Sequence, residues 1–327
     1  MYLLIGGVIA FIISVILGFV LIPVLRRLKF GQEIREEGPK WHAKKSGTPT
    51  MGGLIFIVAV VASVAIMYLV GLFLGVDIPV GSSMVLLLCL SLVYGAIGFI
   101  DDYIKVILKR NLGLTAKQKF SLQLLAAIAF VCWAVYGEGV ATVVKIPFTS
   151  LVFDFGIWFI PFTVLVILAT VNSVNLTDGL DGLATCVTCV VALFFMLFTK
   201  FGAFPNTVVS LFAAILLGSL LGFLIFNKYP AKVFMGDTGS LFLGGAVCGM
   251  AVLTEQPLML LVVGFVYVME SLSVILQVIS YKTTGKRIFK MSPIHHHFEM
   301  CGWKETKVVA VFTAVTAVLC ALMYIFG

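Results

Sequence analysis

Five of the chain's seven aspartates fall where long apolar segments of the sequence end. They are Asp101, Asp102, Asp178, Asp181 and Asp237. A carboxylate inside a membrane costs about 2.5–3.5 kcal/mol at the centre of a helix and less toward the interface, and ordinary packing does not require one. Carboxylate oxygens do suit a site that holds a divalent cation such as Mg²⁺ against phosphate groups. The aspartates therefore predict metal-assisted chemistry on phosphate at one face of the molecule.

The first acidic motif is the pair Asp101 and Asp102, at the end of the third apolar segment. Adjacent carboxylates repel each other, so the pair resists full ionisation unless a cation or nearby lysines compensate it. A divalent cation would give the pair a function. The alternative is a polar marker at the membrane edge that Lys105 neutralises.

The second motif, between residues 172 and 182, is stronger because polar residues recur in it at every third position. They are Asn172, Asn175, Asp178 and Asp181. On a helix or helix start this spacing places them on one face, each within about one turn of the next. Helix capping explains one such residue but not four in register. Their oxygens are ligands of the kind that Mg²⁺ prefers.

The third motif surrounds Asp237, which follows the seventh apolar segment and fits the N-cap of the eighth helix. A helix N-terminus attracts anions, but an acid placed there repels phosphate unless a metal lies between them. Asn227 and Phe234 precede Asp237. Phe234 fits two roles, an aromatic residue of the membrane interface or a platform on which a base stacks.

Two further segments add polar groups. His295, His296 and His297 are consecutive, so their side chains diverge and cannot all bind one metal from a regular element. Because Mg²⁺ prefers oxygen, we expect the imidazoles to bond phosphate, with a zinc site as the alternative. Lys45 and Thr50 open the second apolar segment with a cation and a hydroxyl. By themselves they also fit a basic flank followed by a turn.

The composition shows what must position these groups. Of the 327 residues, 61% are hydrophobic and 11% are charged, whereas soluble domains are about 45–50% apolar and about 25% charged. Apolar stretches of about 20 residues, enough to cross a ~30 Å hydrocarbon core, cover residues 3–25, 51–72, 82–100, 120–136, 157–173, 183–199, 207–226, 238–254, 258–279 and 308–326. We therefore predict an all-α polytopic integral membrane protein of about ten transmembrane helices, with residues 1–327 forming a single transmembrane domain.

The distribution of basic residues predicts the orientation. Of the 22 lysines and arginines, all but Lys145 and Lys200 lie in alternate loops. Because basic loops stay in the cytoplasm, we expect these loops to be cytoplasmic and both termini to lie outside. Topology alone explains this charge, and an anionic substrate or lipid is an additional explanation. On the outer side, β-branched and aromatic runs at 142–147 and 151–155 predict a small external β-hairpin.

Together the polar motifs resemble the polyprenyl-phosphate N-acetylhexosamine-1-phosphate transferases, the glycosyltransferase 4 family. The acidic motifs of this family appear here as Asp101–Asp102, as the segment from Asn172 to Asp181, and as Asp237. Segments 45–53 and 292–298 resemble the branch of the family that uses a muramoyl-pentapeptide nucleotide. The resemblance runs through nearly the whole chain.

The resemblance implies a reaction. Undecaprenyl phosphate attacks the sugar-linked phosphate of UDP-N-acetylmuramoyl-pentapeptide, UMP leaves and lipid I forms, with Mg²⁺ as the cofactor. This is the first membrane step of bacterial peptidoglycan synthesis, on the cytoplasmic face of the cell membrane. The implied partners are the two substrates, the bilayer and a second copy of the chain in a homodimer, with no nucleic acid. A one-step route and a route through a covalent intermediate both stay open.

The resemblance also implies roles for the aspartates. Asp237 is the leading metal ligand, with Asp178 as a second one. Asp101 and Asp102 engage the lipid phosphate, and Asp101 is the candidate base. Asp178 and Asp181 line the nucleotide side of the site.

Phe234 resembles the residue that stacks on uracil in this family. The other substrate-binding residues that the resemblance implies are Lys45, Thr50, Asn172, Asn175, Asp181, Asn227, His296 and His297. His295 contacts phosphate or sugar with the other two histidines and is also a candidate for proton transfer. It therefore joins the aspartates as a catalytic candidate.

Two rival functions stay open. The first is a sister transferase that uses another UDP-sugar, as in teichoic-acid, O-antigen or dolichol pathways, and segments 45–53 and 295–297 argue against it. The second is a transporter or channel, because Glu270 lies inside the ninth apolar segment and transporters place ionisable groups near the midplane. The other acids lie at one edge, which favours an enzyme.

Overall fold

The computed structural model describes residues 1–28, 45, 47–106, 108, 113–202 and 204–327. Some residues of the basic loops and of segment 44–53 lie outside the described residues: Lys29, Arg35, Lys40, Lys44, Ser46, Lys109 and Arg110. Within the described part, ten helices are long and apolar enough to cross a membrane. This confirms the prediction of an all-α polytopic membrane protein.

The long helices follow one another with short connections and one small hairpin. The helices are α1 (Tyr2–Arg27), α2 (Gly53–Leu74), α3 (Ser82–Val106), α4 (Ala116–Tyr136), α5 (Phe159–Thr177), α6 (Leu183–Phe201), α7 (Thr207–Asn227), α8 (Gly236–Leu253), α9 (Leu260–Val263), α10 (Phe265–Thr284), α11 (Ile294–Met300) and α12 (Glu305–Phe326). All of these except the short α9 and α11 are candidate membrane spans. Helices suit this environment because they satisfy their own backbone hydrogen bonds in lipid.

A two-stranded hairpin separates α4 from α5. Strands β1 (Val143–Lys145) and β2 (Val152–Asp154) pair antiparallel, with Val144 opposite Phe153. This confirms the hairpin that the sequence predicts. Its location on the outer side of the membrane stays a prediction, as does the location of both termini.

Helices α3 and α4 extend further than the hydropathy of the sequence predicts. The sequence predicts an end near residue 100, but α3 continues to Val106, so Asp101 and Asp102 lie inside the helix. Helix α4 begins at Ala116 rather than near 120, because Thr115 and Gln118 form a reciprocal capping box. A charged residue lowers the hydropathy of a segment, but it does not end the helix when a partner neutralises it.

The ninth predicted span, residues 258–279, is not one straight helix. The one-turn helix α9 ends at Gly264, whose backbone leaves the helical conformation, and α10 begins at the next residue. Helix α10 then continues to Thr284, where Gly285 ends it in a left-handed conformation. The sequence prediction was therefore wrong in continuity and about five residues short at its end, since glycine permits the break inside an apolar run.

Helix α8 forms the centre of the bundle. Of its most apolar stretch, 89% is buried, compared with 28% for each of α1, α4, α10 and α12. Its closest neighbour is α3, and the contact is backbone to backbone at Gly98. A Cβ there would overlap the carbonyl group of Asp237 and lie 2.7 Å from the amide nitrogen of Thr238. This close approach, typical of small residues in membrane helix pairs, brings the acidic end of α3 against the first turn of α8.

Candidate active site

Asp102 of α3 caps the beginning of α8. Its Oδ2 accepts hydrogen bonds from the backbone nitrogen of Thr238 at 2.9 Å and from the Thr238 hydroxyl at 2.7 Å. Its Oδ1 accepts from the backbone nitrogen of Asp237 at 3.2 Å. The carboxylate is buried and satisfies free amides of the helix N-terminus. It therefore has a positioning role here, and the lipid-phosphate contact predicted for Asp102 stays untested.

The prediction that Asp237 itself is the N-cap of α8 was wrong. The N-cap position is Met235, and Asp237 lies within the first helical turn. Asp102 supplies the capping oxygens from a neighbouring helix, which leaves the side chain of Asp237 free to turn away from its own backbone. Gly236, which directly precedes Asp237, has a φ of 71°. A Cβ at this position would lie 2.5 Å from Asp102 Oδ2 and 2.8 Å from Thr50 Oγ1, so the close approach of these groups requires glycine.

Asp237 is the centre of a charged cluster formed by α3, α4, α5 and α8. Its Oδ2 accepts from Lys105 Nζ and from Lys119 Nζ, each at 2.9 Å. Its Oδ1 accepts from Asn175 Nδ2 at 2.9 Å. Asp101 shares both cations, with its Oδ2 at 2.5 Å from Lys105 Nζ and 3.7 Å from Lys119 Nζ. We call these five residues the aspartate–lysine cluster.

Lys105 and Lys119 are functional candidates that the sequence did not single out: Lys105 was expected only to neutralise the Asp101–Asp102 pair, and Lys119 was explained by topology. Lys105 follows Asp101 by four residues on α3, a spacing that places the two on one helix face and that could have identified it. Lys119 lies on α4, and its acidic partner Asp237 is more than a hundred residues away in the sequence. No local signal could have paired them.

The four polar residues at 172–181 do not share one face, so this prediction was wrong. Asn172 and Asn175 are on α5, but Asn172 Nδ2 donates to Gln123 Oε1 of α4 at 2.9 Å, whereas Asn175 joins Asp237. Helix α5 ends at Thr177, so Asp178 and Asp181 lie on the turn that follows it. The helical register is lost there. Asn175 joins the cluster, while the substrate contact predicted for Asn172 stays untested.

Asp178 lies on this turn among other carboxylates. Desolvation raises the pKa of Asp178 well above its ordinary value, and the negative charges of Asp237, Asp102 and Asp181 act in the same direction. A divalent cation beside the carboxylate would stabilise its ionised form and so oppose both effects. These surroundings are therefore consistent with Asp178 as a second carboxylate ligand of a metal ion.

The residues around Asp237 fit Mg²⁺ by their chemistry. The described residues include no cluster of three His, Cys, Asp or Glu side chains arranged to hold a metal ion, as a closed structural site would require. Mg²⁺ instead is bound through one or two carboxylates together with waters and substrate phosphates. Asp237 and Asp178 meet that smaller requirement, and the neighbouring lysines suit the phosphates.

A second group of contacts surrounds Asp181. Its Oδ1 accepts from Lys45 Nζ at 2.7 Å, and its Oδ2 accepts from the backbone nitrogen of Ala231 at 2.9 Å. Glu305 Oε1 accepts from Lys45 Nζ and from the backbone nitrogen of Asp181, both at 2.6 Å. Burial lowers the pKa of Lys45, but its bonds to Asp181 and Glu305 outweigh burial and raise it overall. Glu305, in the first turn of α12, was missed by the sequence analysis.

The segment that carries Phe234 is held against the residues before α2. The backbone nitrogen of Phe234 donates to the Pro49 carbonyl, and its own carbonyl accepts from the Gly52 nitrogen, both at 2.8 Å. Asn227 is buried, accepts from Thr185 Oγ1 at 2.6 Å and donates to the Val233 carbonyl at 3.0 Å. Asn227 therefore fixes the segment that carries Phe234, and direct contact with a substrate stays a prediction.

The three histidines have different partners, but the predicted divergence of their side chains was wrong for His295 and His296, whose ring centroids lie 4.1 Å apart. His295 Nδ1 lies 2.9 Å from Glu270 Oε2 of α10, and His296 Nδ1 lies 2.8 Å from Glu299 Oε2 of α11. His297 Nδ1 accepts from the backbone nitrogen of Lys290 at 3.1 Å. The phosphate contacts predicted for them are not tested by these bonds.

Comparison with known proteins identifies the family. Residues 84–255 match the model of glycosyl transferase family 4, and residues 45–57 match phospho-N-acetylmuramoyl-pentapeptide-transferase signature 1. The phospho-N-acetylmuramoyl-pentapeptide-transferase of Bacillus licheniformis is 50% identical over 323 residues, which cover 96% of this chain and 94% of the relative.

Two further relatives with the same name agree. That of Halalkalibacterium halodurans is 50% identical over 321 residues, 96% of this chain and 94% of the relative. That of Bacillus subtilis is 49% identical over 320 residues, 95% of this chain and 94% of the relative. The signature covers the segment that carries Lys45 and Thr50, and the family model covers the aspartate–lysine cluster. The chain therefore belongs to the phospho-N-acetylmuramoyl-pentapeptide-transferases of glycosyl transferase family 4.

Proposed function

We propose that this transferase moves phospho-N-acetylmuramoyl-pentapeptide from its UDP carrier to undecaprenyl phosphate, releasing UMP and forming lipid I in the first membrane step of peptidoglycan synthesis. The names of its relatives support the transferred group. The observation that carries the chemistry is the contact of Asp237 with Lys105 and Lys119. Two carboxylates and two ammonium groups in contact suit a reaction between two anionic phosphates.

The first obstacle to this reaction is the electrostatic repulsion between the two anionic phosphates. An oxygen of the lipid phosphate attacks the sugar-linked phosphorus, a new P–O bond forms, and the bond to UMP breaks. A phosphate monoester has a second pKa near ~6, so the attacking phosphate is largely dianionic at neutral pH. Charge neutralisation and in-line positioning therefore matter more than removal of a proton.

Each residue of the aspartate–lysine cluster has a distinct part in this proposal. Lys105 and Lys119 attract and orient the two phosphates, and Asp101 holds both lysines in place. Asp101 is also the candidate base for a lipid phosphate that still carries its proton. Asn175 orients the carboxylate of Asp237.

We propose Mg²⁺ as the cofactor, with Asp237 as its first ligand and Asp178 as its second. When bound, the ion supplies charge neutralisation on the pyrophosphate and on the leaving UMP. Asp102 keeps the first turn of α8 in the position that presents Asp237. The carboxylates alone do not complete a coordination shell, so the remaining ligands are phosphate oxygens and waters.

The nucleotide occupies the other side of the site in this proposal. Phe234 stacks on the uracil ring, and Lys45 binds it or the adjacent phosphate while Asp181 and Glu305 hold the ammonium group. His295, His296 and His297 contact the phosphate or the sugar. We place the site at the cytoplasmic face of the bacterial cell membrane, because nearly all basic residues of the sequence fall in the loops predicted to be cytoplasmic. A homodimer remains the expected assembly.

The experiment that tests this function separates it from a sister transferase. Purified full-length protein in vesicles is given undecaprenyl phosphate with either UDP-N-acetylmuramoyl-pentapeptide or UDP-N-acetylglucosamine, and lipid-linked product is measured. We expect product from the first nucleotide and none from the second. Product from UDP-N-acetylglucosamine alone would replace this proposal with the sister activity.

A further inference from the structure

Glu270 is a buried acid that the proposed chemistry does not use. It lies in the second turn of spanning helix α10, and its side chain is 0% exposed. An ionisable residue within a membrane span is costly unless it has a partner. Its partner is His295 of α11, whose Nδ1 lies 2.9 Å from Glu270 Oε2. The transporter hypothesis rested on Glu270 as an ionisable residue inside a span, and the contact with His295 gives that acid a structural partner.

The pair leaves one ring nitrogen open. Within the described part of the chain, His295 Nε2 and Glu270 Oε1 are buried and have no hydrogen-bond partner. A buried polar atom without a partner costs about 1–3 kcal/mol, so an open imidazole nitrogen indicates a ligand or a role. His295 itself is 0% exposed, so its ring cannot rotate into solvent to satisfy that nitrogen.

The open nitrogen faces the turn between α5 and α6. A Cβ placed on Gly179 would overlap His295 Nε2 and lie 2.5 Å from its Cε1. Gly179 stands between Asp178 and Asp181, which the proposed function places at the metal and the nucleotide. His295 therefore directs Nε2 into the wall of the site, while Nδ1 points back into the bundle toward Glu270.

The proposed arrangement requires the proton on Nδ1, because an imidazole N–H donates and a carboxylate oxygen of Glu270 accepts. Histidine whose Nδ1 proton is held by a carboxylate presents Nε2 to its ligand in a defined orientation. His296, by comparison, bonds Glu299, which lies within its own short helix.

We propose that Glu270 is a positioning residue for His295: it holds the Nδ1 proton and so keeps Nε2 against Gly179, in the turn that carries Asp178 and Asp181. The proposal rests on the proposed function, because it takes His295 as a residue of the transferase site. The proposal also gives α10 a role in the site. This helix begins after the break at Gly264 and carries Glu270 to the contact with α11.

A double-mutant cycle separates positioning from general structural support. UMP release is measured for the wild type, Glu270→Met, His295→Gln and the double variant, in vesicles with both substrates and Mg²⁺. Met matches the length of Glu without accepting a hydrogen bond. We expect Glu270→Met to lower kcat about 10- to 100-fold with the nucleotide KM changed less than about twofold. In the His295→Gln background the same change should cost less than about twofold, because coupled residues are not additive.

The matched control is Ser273→Ala, which removes a buried hydroxyl that donates to the backbone carbonyl of Glu270 but does not bond its carboxyl group. It should keep the wild-type kcat. If the losses of Glu270→Met and His295→Gln multiply in the double variant, Glu270 acts independently of His295 and the proposal is overturned.

A spectroscopic test reads the pair without activity. The sequence has 4 histidines, so ¹⁵N signals of the rings can be assigned with single His→Gln variants. We expect His295 in the wild type to carry a proton on Nδ1, and Glu270→Met to reduce that population. A wild-type signal with Nδ1 unprotonated would contradict the proposal. Since this result does not depend on turnover, failure of the proposed function and failure of the pairing are distinguishable.

Discussion

Asp237 bonds two ammonium groups and one amide, and each comes from a different helix. The type of these residues could be predicted from the sequence, because aspartates at the ends of apolar segments have few explanations other than ions or phosphate. Their pairing could not, because Lys105, Lys119 and Glu305 meet partners that are more than a hundred residues away. Spacing within a helix predicts which residues of that helix are neighbours, whereas contacts between helices depend on how the bundle packs.

Phe234 provides a prediction about nucleotide binding. Phe234→Ala should raise the KM for the UDP-sugar about tenfold and change kcat little, because stacking on a base contributes about 1–3 kcal/mol and acts equally in ground and transition states. Steady-state UMP release measures both constants. Phe153→Ala, an exposed phenylalanine on the hairpin, is the control and should change neither. An unchanged KM in Phe234→Ala would contradict stacking and favour the alternative role of Phe234 as an aromatic residue of the membrane interface.

Glu305 provides a prediction that involves pH. Bonds to Glu305 and Asp181 raise the pKa of Lys45, so its positive charge is present at neutral pH and is lost only as pH rises through that raised value. Glu305→Gln removes one of these causes and lowers the pKa. The KM for the nucleotide should therefore begin to increase at a lower alkaline pH in Glu305→Gln than in the wild type. Superimposable pH profiles of KM would show that Glu305 does not act through Lys45.

At the scale of the elements, the contact of α3 with α8 determines the site. The hydropathy of the sequence predicted the existence and order of the spans, because lipid requires every spanning backbone to satisfy itself. It placed the end of α3 too early, since it counted Asp101 and Asp102 as a boundary, whereas Lys105 neutralises Asp101 and Asp102 caps α8. It also missed the break at Gly264, which a hydropathy window averages away.

Gly98 tests this contact. In Gly98→Ala the new Cβ would meet the carbonyl group of Asp237 and the amide of Thr238, so α3 must move away from α8. Overpacking of this kind costs about 1–3 kcal/mol, and we expect a lower unfolding temperature together with a loss of turnover. Gly81→Ala, where a Cβ would meet nothing within 4 Å, should keep both. Normal turnover in Gly98→Ala would remove the α3–α8 contact from the account of the site.

At the scale of the whole molecule, the site and the described basic residues around it, Lys45, Lys105 and Lys119, lie at the same end of the bundle. The positive-inside rule predicts that this end faces the cytoplasm, and a sequence can reveal it because insertion responds to loop charge rather than to tertiary contacts. The assembly of two chains has no comparable local signal. The prediction of a homodimer therefore rests on the family alone.

Labelling of cysteines tests the orientation. Cys301 is exposed and follows α11. A cysteine introduced at Ser150, in the hairpin loop, is expected to lie at the opposite end of the bundle. In intact cells whose outer face is accessible, a membrane-impermeant maleimide should label Ser150→Cys and leave Cys301 unlabelled until the membrane is permeabilised. The reverse pattern would invert the topology and place the site outside.

The most direct measurement of the central claim is UMP release by the wild type and by Asp237→Asn, with Asp154→Asn on the hairpin as the matched control. We predict that release by the wild type requires both substrates and Mg²⁺, and that Asp154→Asn behaves alike. Asp237→Asn should lose at least about 100-fold in kcat, the effect of removing one electrostatic group from a preorganised site. Turnover in Asp237→Asn near the wild-type rate, or release that does not need Mg²⁺, would contradict the account.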